Sequence, residues 1–270
     1  MVTIPIVSTR KSLNNTLGIP LIPLTQDTWL AAWPTRVKDF AAFVAATRYD
    51  ATGNMLTLGK GDYDWLAHGH TWQSPGFAQT EDHPVVGVSC FDALEFCAWL
   101  TAQERAQKKI DDRQTYAVPT DLEWSLAVGL GEEEGGSPEA RLYHSAGTYP
   151  WGPEWPPPAN FGNYAGAESR IDMPSWWGVA PGGYVDPFPR TSPVASFAPN
   201  ALGFYDLSGN VWEWCADAYC PGSLARIIRG GSWGSDRPAY LQSANRNPKF
   251  PDSRNDETGF RIALRPAYSP

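Results

Sequence analysis

The residues best placed to do chemistry gather in the last quarter of the chain. Trp212-Glu213-Trp214 follows the turn-forming run Ser208-Gly209-Asn210, which sets a carboxylate between two indoles. A carboxylate buried there needs a partner or a cation. Further on, Arg229-Gly230-Gly231-Ser232-Trp233 and Gly259-Phe260-Arg261-Ile262-Ala263-Leu264 read as two short strands. The mostly polar stretch between them, residues 234–258, is too irregular for one helix or strand. Held by rigid strands at both ends, it is a candidate binding or catalytic surface. Two sharper motifs fail on inspection. Gly230-Gly231-Ser232-Trp233-Gly234 fits the G-x-S-x-G elbow of hydrolases, but that chemistry wants a histidine later in the chain, and the last one is His144. His68, His70 and His83 show no acidic partner at ligand spacing and read as isolated loop histidines.

Taken together, residues 200–264 resemble the formylglycine-generating enzyme (sulfatase-modifying factor) family. The match lies in Asn200-Ala201-Leu202-Gly203-Phe204-Tyr205-Asp206, Gly209-Asn210-Val211-Trp212-Glu213-Trp214, then Arg229–Trp233 and Gly259-Phe260-Arg261. Weaker matches extend the resemblance back to about Leu17. They include Pro150-Trp151-Gly152, the helix opening at Ser89 with Cys90 in place of a Trp, and the helix that follows Pro119. The resemblance implies a C-type-lectin-type fold and two calcium sites. One would use Asn163, Tyr164, Asp186 and Phe188. The other would use Asp206, Gly209, Val211 and Glu213. Both offer carboxylate, amide and carbonyl oxygens, the ligands a hard cation takes. Structural Ca2+ is therefore the expected cofactor.

The family's oxidases hold copper on two cysteines just after R-G-G-S. Here Ser232 is followed by WGSDRPAYLQSANR, without a cysteine. Copper(I) depends on thiolate ligands, so neither copper nor oxidase activity is expected. Related iron-dependent enzymes carry their metal histidines on a separate helical domain, and no such helical pattern is read in residues 1–270. The family also contains non-catalytic binders, and the chain most resembles the variable proteins of diversity-generating retroelements. In those proteins a framework like Ser243-Ala244-Asn245-Arg246, Pro251-Asp252, Arg254 and Gly259-Phe260-Arg261 surrounds positions diversified toward Asn, Ser, Asp and Tyr.

On this reading the recognition residues are Ser235, Asp236, Arg237, Tyr240, Gln242, Asn247, Lys249, Phe250, Ser253, Asn255, Asp256 and Glu257, with side chains turned outward. Tyr supplies rigid amphipathic contact area and Ser and Asn supply adaptable hydrogen bonds, as in paratopes. The expected partner is an unidentified protein or surface ligand. A fixed interaction module of the same family is the alternative.

The elements that must position this surface are also legible. Residues 17–24 read as an edge strand held there by prolines. Residues 35–47 read as a helix capped by Thr35, residues 83–89 as a strand, and residues 91–107 as a helix capped by Ser89. Pro119 opens a third helical turn with Asp121 and Glu123 in place for the helix dipole. The fold class is α+β: a small twisted antiparallel sheet, two main helices, extensive irregular loops and a core packed with Trp99, Trp124, Trp212 and Trp214. Residues 1–15 read as a tail or linker end, and residues 16–270 as one domain.

Bulk composition agrees. Among 270 residues there are 13 Trp, 25 Gly and 25 Pro, which suits a loop-rich fold over a helical bundle. A net charge of −8 leaves no massed basic surface for nucleic acid. No apolar run is long enough to span a membrane and no signal-peptide core is visible, so no membrane insertion and a cytoplasmic location are expected. Cys90, Cys97, Cys215 and Cys220 are too few for a disulfide scaffold and are expected to be mostly reduced and buried.

Overall fold

The computed structural model describes residues 11–133, 135–142, 147–180 and 182–267. Helix α1 (Val37–Thr47) begins after Arg36, not at Thr35. The Asp39 carboxylate accepts from the Arg36 backbone N–H and from its guanidinium, both at 2.9 Å. An ion pair thus replaces the expected hydroxyl cap. Helix α2 (Cys90–Ala106) has the expected Ser89 cap, closed as a box with Asp92. Helix α3 (Asp121–Val128) follows a Thr120–Glu123 capping box, which leaves Pro119 outside the helix. A short α4 (Pro138–Arg141) follows.

Strands β1 (Leu13–Asn14), β2 (Pro20–Pro23), β3 (Trp29–Ala31), β5 (Gln114–Ala117) and β11 (Ala263–Pro266) form a five-stranded antiparallel sheet in the order β1-β2-β3-β11-β5. Two expectations change here. Strand β2 is covered by β1, so it is not an edge. Leu13 and Asn14 belong to the sheet and not to a tail, while residues 1–10 lie outside the described residues. The stretch 83–89 is not a strand: it makes a single bridge, Arg36 to Pro84, and bends at Gly87, whose φ is 71°.

A second sheet joins β10 (Thr258–Gly259), β6 (Trp212–Ala218), β7 (Arg226–Arg229) and β8 (Asn247–Lys249), with β10 parallel to β6 and the other pairs antiparallel. Strand β4 (Met55–Leu56) pairs with β9 (Arg254–Asn255). Strand β7 therefore ends where a strand was expected to begin, because Gly230 and Gly231 take left-handed φ of 95° and 75°.

The main core lies between α1, α2 and the sheets. Phe40, Phe43, Phe96 and Phe260 meet there with ring centroids 5.4–6.3 Å apart. Trp124, Trp212 and Trp214 are buried as expected, and half-buried Trp99 packs against Phe43 and Phe96. Cys90, Cys97 and Cys215 are buried free thiols, and Cys220 is half-buried and free. Burial pushes the Cys90 thiol up to about 11.

Candidate functional site

The segment 229–261 is pinned by arginines that reach acids on distant elements. Arg229, buried, pairs with Asp121 at the first turn of α3 and lies 4.4 Å over the Trp124 ring. Arg246 meets the same carboxylate at 2.9 Å, and Arg141 meets it at 2.7 Å. Three guanidiniums hold Asp121 below the usual carboxylate range despite its burial. Arg254 clasps Asp92 of α2 with two bonds of 2.8 Å. Arg190 stacks 4.5 Å over Trp233 and pairs with Asp256 at 3.2 Å. Such desolvated bidentate contacts fix orientation, and between them the loop is stretched over the second sheet.

Glu213 is the carboxylate that the sequence left in need of a partner. Arg261 supplies it, with Nε to Oε2 and Nη2 to Oε1 both at 2.6 Å, and the Trp124 indole N–H adds a third bond at 2.9 Å. Both residues are fully buried. The calcium grouping of Asp206, Gly209, Val211 and Glu213 is thus weakened, since its main charge already has a guanidinium. Asp206 accepts from the Ala195 N–H at 2.8 Å, and burial pushes its carboxyl up to about 6.

The other grouping is different. Asn163 donates Nδ2–H to Arg190 O at 2.8 Å, leaving its buried Oδ1 with no partner. Asp186, 4% exposed, accepts from the backbone N–H groups of Phe188 and Tyr164 at 2.8 and 3.1 Å. Burial raises its carboxyl to about 7, with the neighbouring Glu168 adding to the rise. Glu168 Oε2 is itself buried and unpartnered. An orphaned amide oxygen beside two carboxyls that burial disfavours is a donor set suited to a hard cation. Glu168 was missed in the sequence; only its place two residues beyond Gly166, whose N–H it accepts at 3.0 Å, could have pointed to it. Among the described residues no group of three or more His, Cys, Asp and Glu forms a metal cluster, so a cation here would depend on amide and carbonyl oxygens.

The outward-turned list needs correction. Arg237 and Phe250 are exposed, and Asp236, Tyr240, Gln242, Asn247, Lys249 and Ser253 are partly so. Ser235, Asn255, Asp256 and Glu257 are buried. Ser235 Oγ accepts from the Ser232 N–H at 2.9 Å. Asn255 is taken up in β9 and accepts on its carbonyl from the Gly87 N–H. Asp256 turns to Arg190, while its carbonyl accepts from the Trp233 indole at 3.0 Å. Glu257 accepts on its carbonyl from the Trp212 N–H at 2.8 Å. The short strands β9 and β10 draw Asn255, Asp256 and Glu257 inward, and the turn closed between Ser232 and Ser235 does the same for Ser235. Trp233, Gly259 and Arg261 are buried, and a Cβ on Gly259 would sit 2.5 Å from Val85 O.

Glu257 nevertheless faces a cleft of about 330 Å³. One wall is Gly234, Ser235, Asp236, Arg237 and Tyr240, the segment directly after Arg229–Ser232. Trp212 at the start of β6 and Asn247 on β8 form the floor side. The far wall comes from Trp65, Trp176 and Trp177, which sequence reading did not single out. Trp176 is tied to the Trp65 loop by its indole bond to Asp62 O at 2.8 Å. Two glycines let the walls close. A Cβ at Gly234 would overlap Glu257 Oε1, and one at Gly178 would overlap Asp236 Oδ2. Burial raises the Glu257 carboxyl to about 7, with Lys249, the Ser232 hydroxyl and Arg190 pulling it back. A second cleft holds His68 and His70, where His68 Nε2 lies 2.8 Å from Asp62 Oδ2. The acidic partner absent at short spacing is thus present six residues upstream. His83 bonds Thr191 at 2.9 Å, and burial lowers its pKa.

Comparison with known proteins agrees with this architecture. A model of the sulfatase-modifying factor enzyme 1-like domain matches residues 23–266, and the chain belongs to that family. It is 32% identical over 231 residues to the formylglycine-generating enzyme of Thermomonospora curvata, covering 75% of this chain and 64% of that protein. It is 34% identical over 205 residues to the inactive C-alpha-formylglycine-generating enzyme 2 of Mus musculus, covering 71% and 54%. The chain thus spans between half and two thirds of these relatives. Treponema denticola variable protein 1 shares the fold, with a TM-score of 0.52 and 20% identity over 97% of this chain and 94% of that one. The α+β fold of the formylglycine-generating enzyme type is thereby established. Among the described residues no helix is long and apolar enough to cross a membrane.

Proposed function

We propose that this chain is a non-catalytic ligand-binding domain whose recognition surface is built by residues 234–258, and that it acts as a variable protein of a diversity-generating retroelement. The observation that carries this is the makeup of the cleft wall. The segment directly after Arg229–Ser232, where the family's oxidases place their copper cysteines, here carries Ser235, Asp236, Arg237 and Tyr240. The cleft is lined by no thiol. Cys90, Cys97 and Cys215 are buried, and Cys220 sits at the turn after β6. An inactive protein among the relatives and a variable protein of the same fold support the reading. The partner is a protein or surface ligand. Asn163, Tyr164, Asp186 and Phe188 would hold a Ca2+ that stiffens the loop scaffold behind the cleft.

Two measurements test the proposal. Incubation with a Cys-x-Pro-x-Arg sulfatase peptide, with and without copper, leaves the cysteine unchanged by mass spectrometry; formylglycine in the product would overturn the non-catalytic reading. Changing Arg237, Tyr240 and Phe250 together to Ala abolishes capture of the native partner while the chain stays folded. Capture that survives would move the surface elsewhere. The alternative of a fixed interaction module is separated by the coding DNA: a variable protein has a reverse transcriptase gene and an adenine-rich near-copy of its last coding segment nearby.

A further inference from the structure

The cleft over Glu257 has a chemistry of its own. Its rings are mutually inclined: Trp65 and Trp177 at 73°, Trp176 and Trp177 at 60°, Trp212 and Tyr240 at 75°. The centroids in these pairs are 5.8–6.3 Å apart. A flat aromatic ligand needs parallel walls, whereas inclined walls enclose a rounded group. Indole and phenol faces carry negative electrostatic potential and attract cations, indole most strongly. Beside them stand the carboxylates of Asp236 and Glu257, with the Arg237 guanidinium at the rim. A bare metal ion finds no cage of six oxygens among indole faces. The chain already places one cation in this manner: the Arg237 guanidinium lies 5.8 Å over the Tyr240 ring and 3.7 Å from Asp236 Oδ1 at the rim, on a side chain 69% exposed that a ligand cation can displace. The Trp177 indole Nε1 is buried without a partner, an unspent donor in the far wall.

We propose that this cleft binds an alkylated ammonium group, held against the faces of Trp65, Trp176, Trp177 and Trp212 with Glu257 and Asp236 as counter-charges. The inference rests on the ligand-binding reading and names the chemical class of what is bound. A cleft of about 330 Å³ accepts a quaternary ammonium and a few further atoms. The source is a small choline-like molecule or a methylated lysine side chain, which share this head group.

The test is titration of the intact chain followed by tryptophan fluorescence and calorimetry. Choline binds saturably, and 3,3-dimethylbutan-1-ol, its uncharged isostere, binds about tenfold or more weakly. Glu257→Gln and Trp176→Ala each weaken choline binding by about 3- to 30-fold. Trp176 is 48% exposed, so its loss leaves the fold intact, and thermal melting of each variant verifies that. A trimethyl-lysine peptide that binds more tightly than choline, against an unmethylated peptide that does not, assigns the group to a side chain; the reverse order assigns it to a small molecule. Equal binding of choline and its isostere overturns the inference, as does the lack of a saturable signal with choline and with the methylated peptide. In that event, loss of partner capture by the Arg237, Tyr240 and Phe250 triple variant would still stand for the surface, so the two failures are distinguishable.

Discussion

Glu213, on β6, and Glu257, one residue before the strand that pairs with it, illustrate two fates of a buried carboxylate. Strand β10 begins one residue after Glu257 and runs parallel to β6, with Gly259 opposite Glu213. Glu213 is closed off: Arg261 takes both of its oxygens, Trp124 takes a third bond, and no solvent reaches it. Glu257, 9% exposed, has no guanidinium on its carboxylate and looks across a cleft at indole rings. Burial alone therefore does not mark a functional acid. What separates the two is whether a guanidinium closes directly on the carboxylate: Arg261 takes up Glu213 entirely, whereas Lys249, Arg190 and the Ser232 hydroxyl act on Glu257 and leave it a side open to the cleft.

The largest effect should come from breaking the closed pair. Arg261→Ala leaves Glu213 buried without its partner and should cost about 3–5 kcal/mol in chemical denaturation. Glu257→Gln, which removes a carboxylate that burial disfavours and that has no guanidinium closed on it, should cost nothing or stabilise slightly at neutral pH. Equal losses from the two would erase the contrast.

Calcium gives the next effect. Asn163 and Asp186 should make melting depend on Ca2+, by about 2.7 kcal/mol at a hundredfold excess over Kd, because the ion binds the folded state only. Asp186→Asn should abolish this gain and Glu213→Gln should leave it in place, though from a lower baseline. A melting curve indifferent to exhaustive chelation would rule the ion out.

A pH series sharpens the comparison further. The Glu257 carboxyl is raised from 4.5 to about 7, so between those values the folded chain binds more protons than the unfolded one. Its contribution to stability is present below about pH 4.5 and is lost as pH rises through about 7, a change on the order of 1–3 kcal/mol. The groups facing it are Lys249, Arg190, Asp236 and the Ser232 hydroxyl, with Asp256 next to it in the chain, also raised by burial and by Glu257. His83, lowered by burial, works in the opposite direction below its ordinary pKa. Comparing the wild type with Glu257→Gln isolates the carboxyl: the variant should show a flatter decline in melting temperature from pH 5 to 8. Parallel curves would show that Glu257 does not titrate in this range. The smallest stability effect belongs to the Arg237, Tyr240 and Phe250 triple variant. Phe250 is 62% exposed and Arg237 lies at the rim, so these two changes should cost about 0.5 kcal/mol or less each, and half-buried Tyr240, edge-on to Trp212, accounts for most of the loss.

Much of this was fixed locally. The Ser89–Asp92 box, the helix over residues 91–107, the acids opening α3 and the lack of cysteine after Ser232 follow from neighbouring residues, and the joined motifs identify the family. Local chemistry also went astray at points. Thr35 looked like a cap until Arg36 and Asp39 paired, and prolines marked β2 as an edge until β1 covered it. The four acceptors and donors read as outward, Ser235, Asn255, Asp256 and Glu257, were polar enough to be surface residues by type.

The amino-acid sequence by itself determined the family, the fold class and the donor types available at each motif, because caps, turns and thiolate chemistry act over a few residues. Only the tertiary structure decided which buried charge is satisfied. Arg261 reaches Glu213 across 48 positions, and Arg246 reaches Asp121 across 125. Trp65 comes from one loop and the adjacent Trp176 and Trp177 from another to line the cleft with Glu257. A carboxylate's state depends on its burial and on the charges folded against it, and neither is written in its neighbours along the chain.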